Sequence, residues 1–318
     1  MKKIFLSFGL CSTLFSAPPE NPTATMPLSD ARSLQHYPFH AETPFCQPKK
    51  EKKAFTTVGL SCLMPGLGHL YLGNTETASY LFGTALTGSL LKNSHYLDEP
   101  TRDFSSSAVA NTWFYGIYAA YRDVRLYNSH LEYKYKMPTD MLADLAYAPI
   151  NPSILKKPEV WGGILGSLGA AFGITYLRSS HDASASRTAL PMRPLAALPI
   201  AIGEEALFRG YIQPLASELF TPWGGLATSS VLFGAAHISN AYAFYPNDSK
   251  ARKEYYQFSL PLITAFGLYS GWLAQKNCSL KETVAIHAWY DFTLFMLDFV
   301  SKRAALNVPV QFVVQIPF

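Results

Sequence analysis

Five long apolar stretches fill the second half of the chain, at residues 160–177, 189–214, 223–245, 257–275 and 282–300, each bounded by charge or by proline and glycine. Runs of this length without period-two alternation favour helices over strands. Val160 to Leu177 carries no charge, and at about 1.5 Å per residue it nearly matches the hydrocarbon thickness of a bilayer. Gly162 with Gly166, and Gly169 with Gly173, put small residues four apart for close helix packing, so this run is expected to span. Glycine, proline and aromatics inside the other runs would weaken soluble helices but are tolerated in membrane ones. Composition agrees: 15% of residues are charged, against about 25% in ordinary soluble proteins. The expected fold is all-α, a polytopic membrane helical bundle with about seven or eight membrane-associated helices.

Chemistry of other kinds is poorly supported. The net charge is +4, and no stretch interleaves dense Lys/Arg with stacking aromatics, so nucleic acid is not implied. Cys11, Cys46, Cys62 and Cys278 are scattered without a CxxC pair, which leaves neither a zinc knuckle nor a disulfide framework readable. The C-terminal run from Val310 to Phe318 alternates with period two, as outer-membrane barrel strands do, but the unalternating runs upstream argue for helices.

The first half divides by composition. Residues 1–17 pair Lys2 and Lys3 with a short apolar core, as a secretory signal or an N-terminal anchor would. Residues 18–53 read as a Pro-rich, disordered linker whose basic end, Lys49 to Lys53, suggests the cytoplasmic side; export by a signal suggests the opposite. Residues 54–125 form an N-terminal membrane module of unassigned role. Within it, Gly66, Gly68 and Gly73 permit positive φ and close backbone approach, and His69 reads as a structural residue. Ala108 to Tyr121, with Trp113, Tyr115, Tyr118 and Tyr121, suits an interfacial helix or the end of one. A polar loop at 126–157, a bundle at 158–300 and a tail at 301–318 complete the chain.

Three of the apolar segments in the bundle hold ionisable groups, and charge at membrane depth costs roughly 2.5–3.5 kcal/mol. In the first, Glu205 and Arg209 are four apart and share a helix face, so they can pair. Glu204 points about 100° away, free to hold a water and act as a base; an intrahelical ion pair with a snorkelling neighbour is the plainer alternative. The second is Phe233 to His237, where Gly234, Ala235 and Ala236 permit close approach, although a lone histidine is commonly an interior hydrogen-bonding residue. The third is His287 with Asp291, at i and i+4, which can jointly contact one water, one metal or one oxyanion. Only His237 and His287 of the eight histidines lie in these segments.

EExxxR, FxxxH and HxxxD in this order resemble the CPBP intramembrane proteases, a family that includes CaaX prenyl proteases and bacteriocin-processing and immunity (Abi-like) proteins. The resemblance covers residues 158–300. It implies an endopeptidase in which Glu204 activates the attacking water and His237 helps hold it. Glu205 and Arg209 would position the first helix, with Phe233 as a further supporting residue, while His287 and Asp291 would stabilise the oxyanion. It implies a peptide or membrane-protein substrate and a multi-pass protein in a lipid bilayer, with the bacterial inner (cytoplasmic) membrane as the expected location. Where relatives carry Asn, which can donate to an oxyanion, this chain has Asp291, which when ionised only accepts. Metal use stays open at this point: Glu204, His237, His287 and Asp291 would suit a divalent ion such as Zn²⁺, and a metal-free glutamate mechanism is equally implied. Two readings from other classes also stand, a non-catalytic membrane scaffold or immunity protein and a proton-coupled transporter using the same carboxylates and histidines as a relay.

Overall fold

A computed structural model describes residues 50–128, 134–177 and 193–303. The signal-like residues 1–17, most of the linker at 18–53 and the alternating run at 310–318 lie outside them. Among the described residues the chain is helical throughout, with no strand.

The first half builds α1 (Ala54–Leu63), α2 (Leu67–Leu72), α3 (Thr75–Lys92) and α4 (Glu99–Tyr127). Gly66 at φ 92° and Gly73 at φ 85° flank α2, so the turns that bend the chain back use the left-handed freedom expected of these glycines. Asn74 caps α3 through Thr77 N, and Asp98 caps α4 through Thr101 N, with Pro100 in the first turn. The aromatic stretch expected to be an interfacial helix or the end of one lies inside this 29-residue α4. The expected polar loop at 126–157 is partly helical. It contains α5 (Leu142–Tyr147), a 3₁₀ turn (Ala148–Ile150) and α6 (Pro152–Leu155), whose apolar side chains Leu145 and Ile154 are buried.

The second half comprises α7 (Pro158–Leu177), α8 (Arg193–Glu205), a π-helical segment (Ala206–Ile212), α9 (Gln213–Leu219), α10 (Pro222–Ala236), α11 (Asn240–Phe244), α12 (Ser249–Glu254), a second π segment (Tyr255–Ser259), α13 (Leu260–Asn277) and α14 (Lys281–Arg303). α8 is central, packed between α4 and α14. Ala119 and Ala120 on α4, Ala201 on α8 and Ala285 on α14 have no exposed surface, so small side chains let the three helix axes approach closely.

Two expectations change here. Among the described residues no helix is long and apolar enough to cross a membrane. The run at 160–177 does form a helix, but its five glycines and Ser167 dilute its hydropathy. The run at 189–214 is split by the π segment, and that at 223–245 breaks after Ala236. The glycine face also differs. Gly166, Gly169 and Gly173 meet nothing, whereas Gly163 is pressed against Ile286 and Tyr269. Cys62 is disulfide-bonded, a pairing invisible in the spacing of the cysteines.

Candidate active site

The acidic pair ends α8 just where the helix widens into its π segment. Insertion of a residue into the helical repeat re-aims the side chains around it, which is why such segments recur at functional sites. Pro199 inside α8 removes one backbone donor a turn earlier. Glu204, Glu205 and Arg209 are all buried, with 2%, 0% and 1% of their surface exposed. Arg209 Nη1 stands 3.3 Å from Glu205 Oε1, as the i, i+4 spacing anticipates.

His237 follows the last residue of α10, and its Nδ1 lies 2.6 Å from the Phe233 carbonyl oxygen. A carbonyl only accepts, so Nδ1 carries the proton, and neutral His237 presents a bare Nε2. That Nε2 is 3.9 Å from Glu204 Oε2. His287, on α14, sends Nδ1 to Glu205 Oε1 at 2.8 Å and turns Nε2 towards Glu204 Oε2 at 3.8 Å and Asp291 Oδ2 at 3.5 Å. Glu204 Oε2, His237 Nε2 and Asp291 Oδ2 are buried without a hydrogen-bond partner among the described residues. Their separations exceed ordinary hydrogen-bond length. They form a polar cluster with unused capacity around one point.

Phe233 is the floor of this cluster. Its ring lies 4.1 Å beneath the Arg209 guanidinium, 4.7 Å from the His237 ring and 6.2 Å from that of His287. The aromatic face offsets part of the cost of burying the cation. Gly267 on α13 lies beside this group, where a Cβ would stand 3.3 Å from Ser230 Cα and 3.4 Å from Arg209 Nη2.

All seven residues singled out by the three motifs therefore meet in one place. Two relationships were not anticipated. Glu205, read as the partner of Arg209 alone, is shared with His287 across 82 positions of sequence. The pocket beside the histidines also takes Ser167 from α7, Phe266 from α13 and Tyr290 from α14, and it has room for about one water. Tyr290 adjoins Asp291 in sequence, but Ser167 lies in an uncharged run with nothing to mark it. His69 is remote from this cluster and pairs with Asp123 at 3.3 Å.

Glu204, His237, His287 and Asp291 converge, as a shared ligand set would require. Among the described residues, however, no group of three or more His, Cys, Asp or Glu is disposed to hold a metal ion, so the metalloprotease-like reading gains no support.

Among the described residues, then, buried carboxylates and histidines carried by separate helices converge beside a small pocket. Residues 186–293, which hold all three motifs, match the family model described as Rce1-like, type II CAAX prenyl endopeptidase Rce1-like. The resemblance to the CPBP and CaaX proteases therefore holds over that segment of the chain. No curated protein and no solved structure matches the chain.

Proposed function

We propose that this chain is an intramembrane endopeptidase that hydrolyses a peptide bond with a water activated by Glu204. The observation that carries the reading is the convergence of Glu204 Oε2 with the Nε2 atoms of His237 and His287, at 3.9 and 3.8 Å, with all three side chains buried. A water at that point gives one proton to Glu204 and a hydrogen bond to the bare Nε2 of His237. Its oxygen attacks the scissile carbonyl carbon. His287 in its protonated form donates Nδ1–H to Glu205 and has Nε2–H left for the oxyanion. Asp291, one turn along α14, keeps that imidazole aimed at the pocket. Collapse of the intermediate breaks the C–N bond, and Glu204 returns its proton to the leaving amine.

The family supports a membrane setting, since its members are membrane proteins. The surface is consistent with it. Leu63, Leu70, Tyr80, Leu90, Trp223 and Val231 are each more than half exposed, and in a membrane setting they would meet lipid. The substrate is a peptide segment; a prenylated C-terminus is what the family description suggests.

The test compares peptides accumulating in a deletion strain complemented with the wild-type chain and with Glu204→Gln. Loss of the wild-type cleavage products with Glu204→Gln, the protein remaining folded and inserted, is the expected result. Normal cleavage by that variant would overturn the mechanism.

A further inference from the structure

Two glycines bracket the acidic motif, Gly203 immediately before Glu204 and Gly210 immediately after Arg209, and both face α4. A Cβ on Gly203 would stand 2.7 Å from the Cα of Asn111, and one on Gly210 would stand 2.7 Å from Cε2 of Tyr118. Both separations are shorter than packed carbon atoms tolerate. Asn111 and Tyr118 are seven residues apart, as are Gly203 and Gly210. Seven residues is about two helical turns, so one face of α4 is seated in two notches on either side of the glutamates. Tyr121 extends the contact, its ring packing edge-on against Tyr211 at 5.0 Å.

The same face of α4 reaches the histidine helix. The Tyr118 hydroxyl bonds the Asp140 carbonyl oxygen at 3.1 Å, and Arg122 Nη1 donates to it at 2.7 Å. The Asp140 carboxylate in turn accepts from Leu280 N at 2.6 Å and from Ser279 Oγ at 3.0 Å, which caps the start of α14 seven residues before His287. Tyr118, Arg122, Asp140 and Ser279 thus form a continuous link from Gly210, at the end of the acidic motif, to the helix bearing His287 and Asp291. The matched segment begins at residue 186, so three of these four residues lie outside it.

We propose that Asn111, Tyr118, Arg122 and Asp140 are positioning residues, through which α4 sets the register of Glu204 and Glu205 against His287. This rests on the reading of those residues as the site and gives the first half of the chain its role. None of the four touches the reacting atoms. They act through Gly203, Gly210 and the cap of α14, so their effect is on the Glu205–His287 contact and the spacing around Glu204.

The test uses the full chain in lipid nanodiscs with ¹⁵N-labelled histidine, the His287 signal being assigned by its loss in His287→Gln, alongside the cleavage comparison above. Gly210→Ala is expected to shift His287 Nδ1 away from its hydrogen-bonded position and to slow cleavage by roughly 10- to 100-fold, as a displacement near 1 Å does. Adding Tyr118→Leu removes the ring that the new methyl meets, so the double variant is expected to be no worse than Tyr118→Leu alone. Asp140→Asn keeps an acceptor for Leu280 N and is expected to hold the His287 signal, whereas Asp140→Ala is expected to lose it. An unchanged His287 signal in Gly210→Ala, simple additivity in the double variant, or equal behaviour of Asp140→Asn and Asp140→Ala would each overturn the proposal. The nuclear resonance readout does not depend on cleavage: a shifted His287 signal together with normal cleavage by Glu204→Gln would leave the positioning standing and remove Glu204 as the base.

Discussion

His287 Nδ1 lies 2.8 Å from Glu205 Oε1, and the same oxygen lies 3.3 Å from Arg209 Nη1. One carboxylate thus joins the helix of the acidic motif to the helix of the second histidine while neutralising a buried guanidinium. The two glutamates consequently have separate consequences on substitution.

Glu204→Gln is expected to lower cleavage by roughly 10²–10⁴-fold, the usual contribution of a general base, with thermal stability held or raised. Glu205→Ala leaves Arg209 buried and unpaired and is expected to cost about 3–5 kcal/mol. Chemical denaturation of the two variants in parallel separates the roles. Equal destabilisation would show that the pair is one structural unit.

Phe233 supports both Arg209 and His237 through its ring face. Phe233→Leu keeps most of the volume but loses the aromatic face, and is expected to cost about 1–2 kcal/mol beyond the change in packing. Phe233→Ala adds a cavity and is expected to cost about 3–5 kcal/mol in total. Unfolding midpoints of the two variants measure the difference, and a negligible loss in Phe233→Leu would remove the cation–ring contact as a stabilising feature.

His69→Gln addresses the third buried histidine among the described residues. It pairs with Asp123, which also accepts from Arg122 Nε at 2.7 Å. The substitution is expected to lower the unfolding midpoint while leaving the cleavage rate per folded molecule within about twofold, since surface and core changes away from a site act mainly through stability. A selective loss of cleavage would show that His69 acts on the site, either by chemistry of its own or through the Asp123–Arg122 contact.

The glycines of α7 divide into two kinds. Gly163→Val drives a branched side chain towards Ile286 Cδ1, where even a Cβ would stand at 2.7 Å, and is expected to destabilise by about 1–3 kcal/mol. Gly166→Ala meets nothing and is expected to gain about 0.5–1 kcal/mol from helix propensity. Thermal scans of both variants test whether the packed face is the one through Gly163, and a reversed order would restore the face through Gly166.

The all-helical class and the pairing of Glu205 with Arg209 could be read from the chain itself. An unalternating apolar run must satisfy its backbone groups internally, and the helical repeat brings i and i+4 together whatever surrounds them. The four groups converging at the site were legible as types, because ionisable side chains are conspicuous in apolar runs. Their mutual arrangement was not. Glu205 meets His287 across 82 positions only because α8 packs on α14, and Ser167 enters the pocket only because α7 lies alongside. The glycines show the same division most plainly. Sequence alone placed Gly203 and Gly210 around the acidic motif, but what fills the space each leaves, Asn111 and Tyr118, is decided by how α4 docks, and helix docking depends on the summed shape of faces distant in the chain.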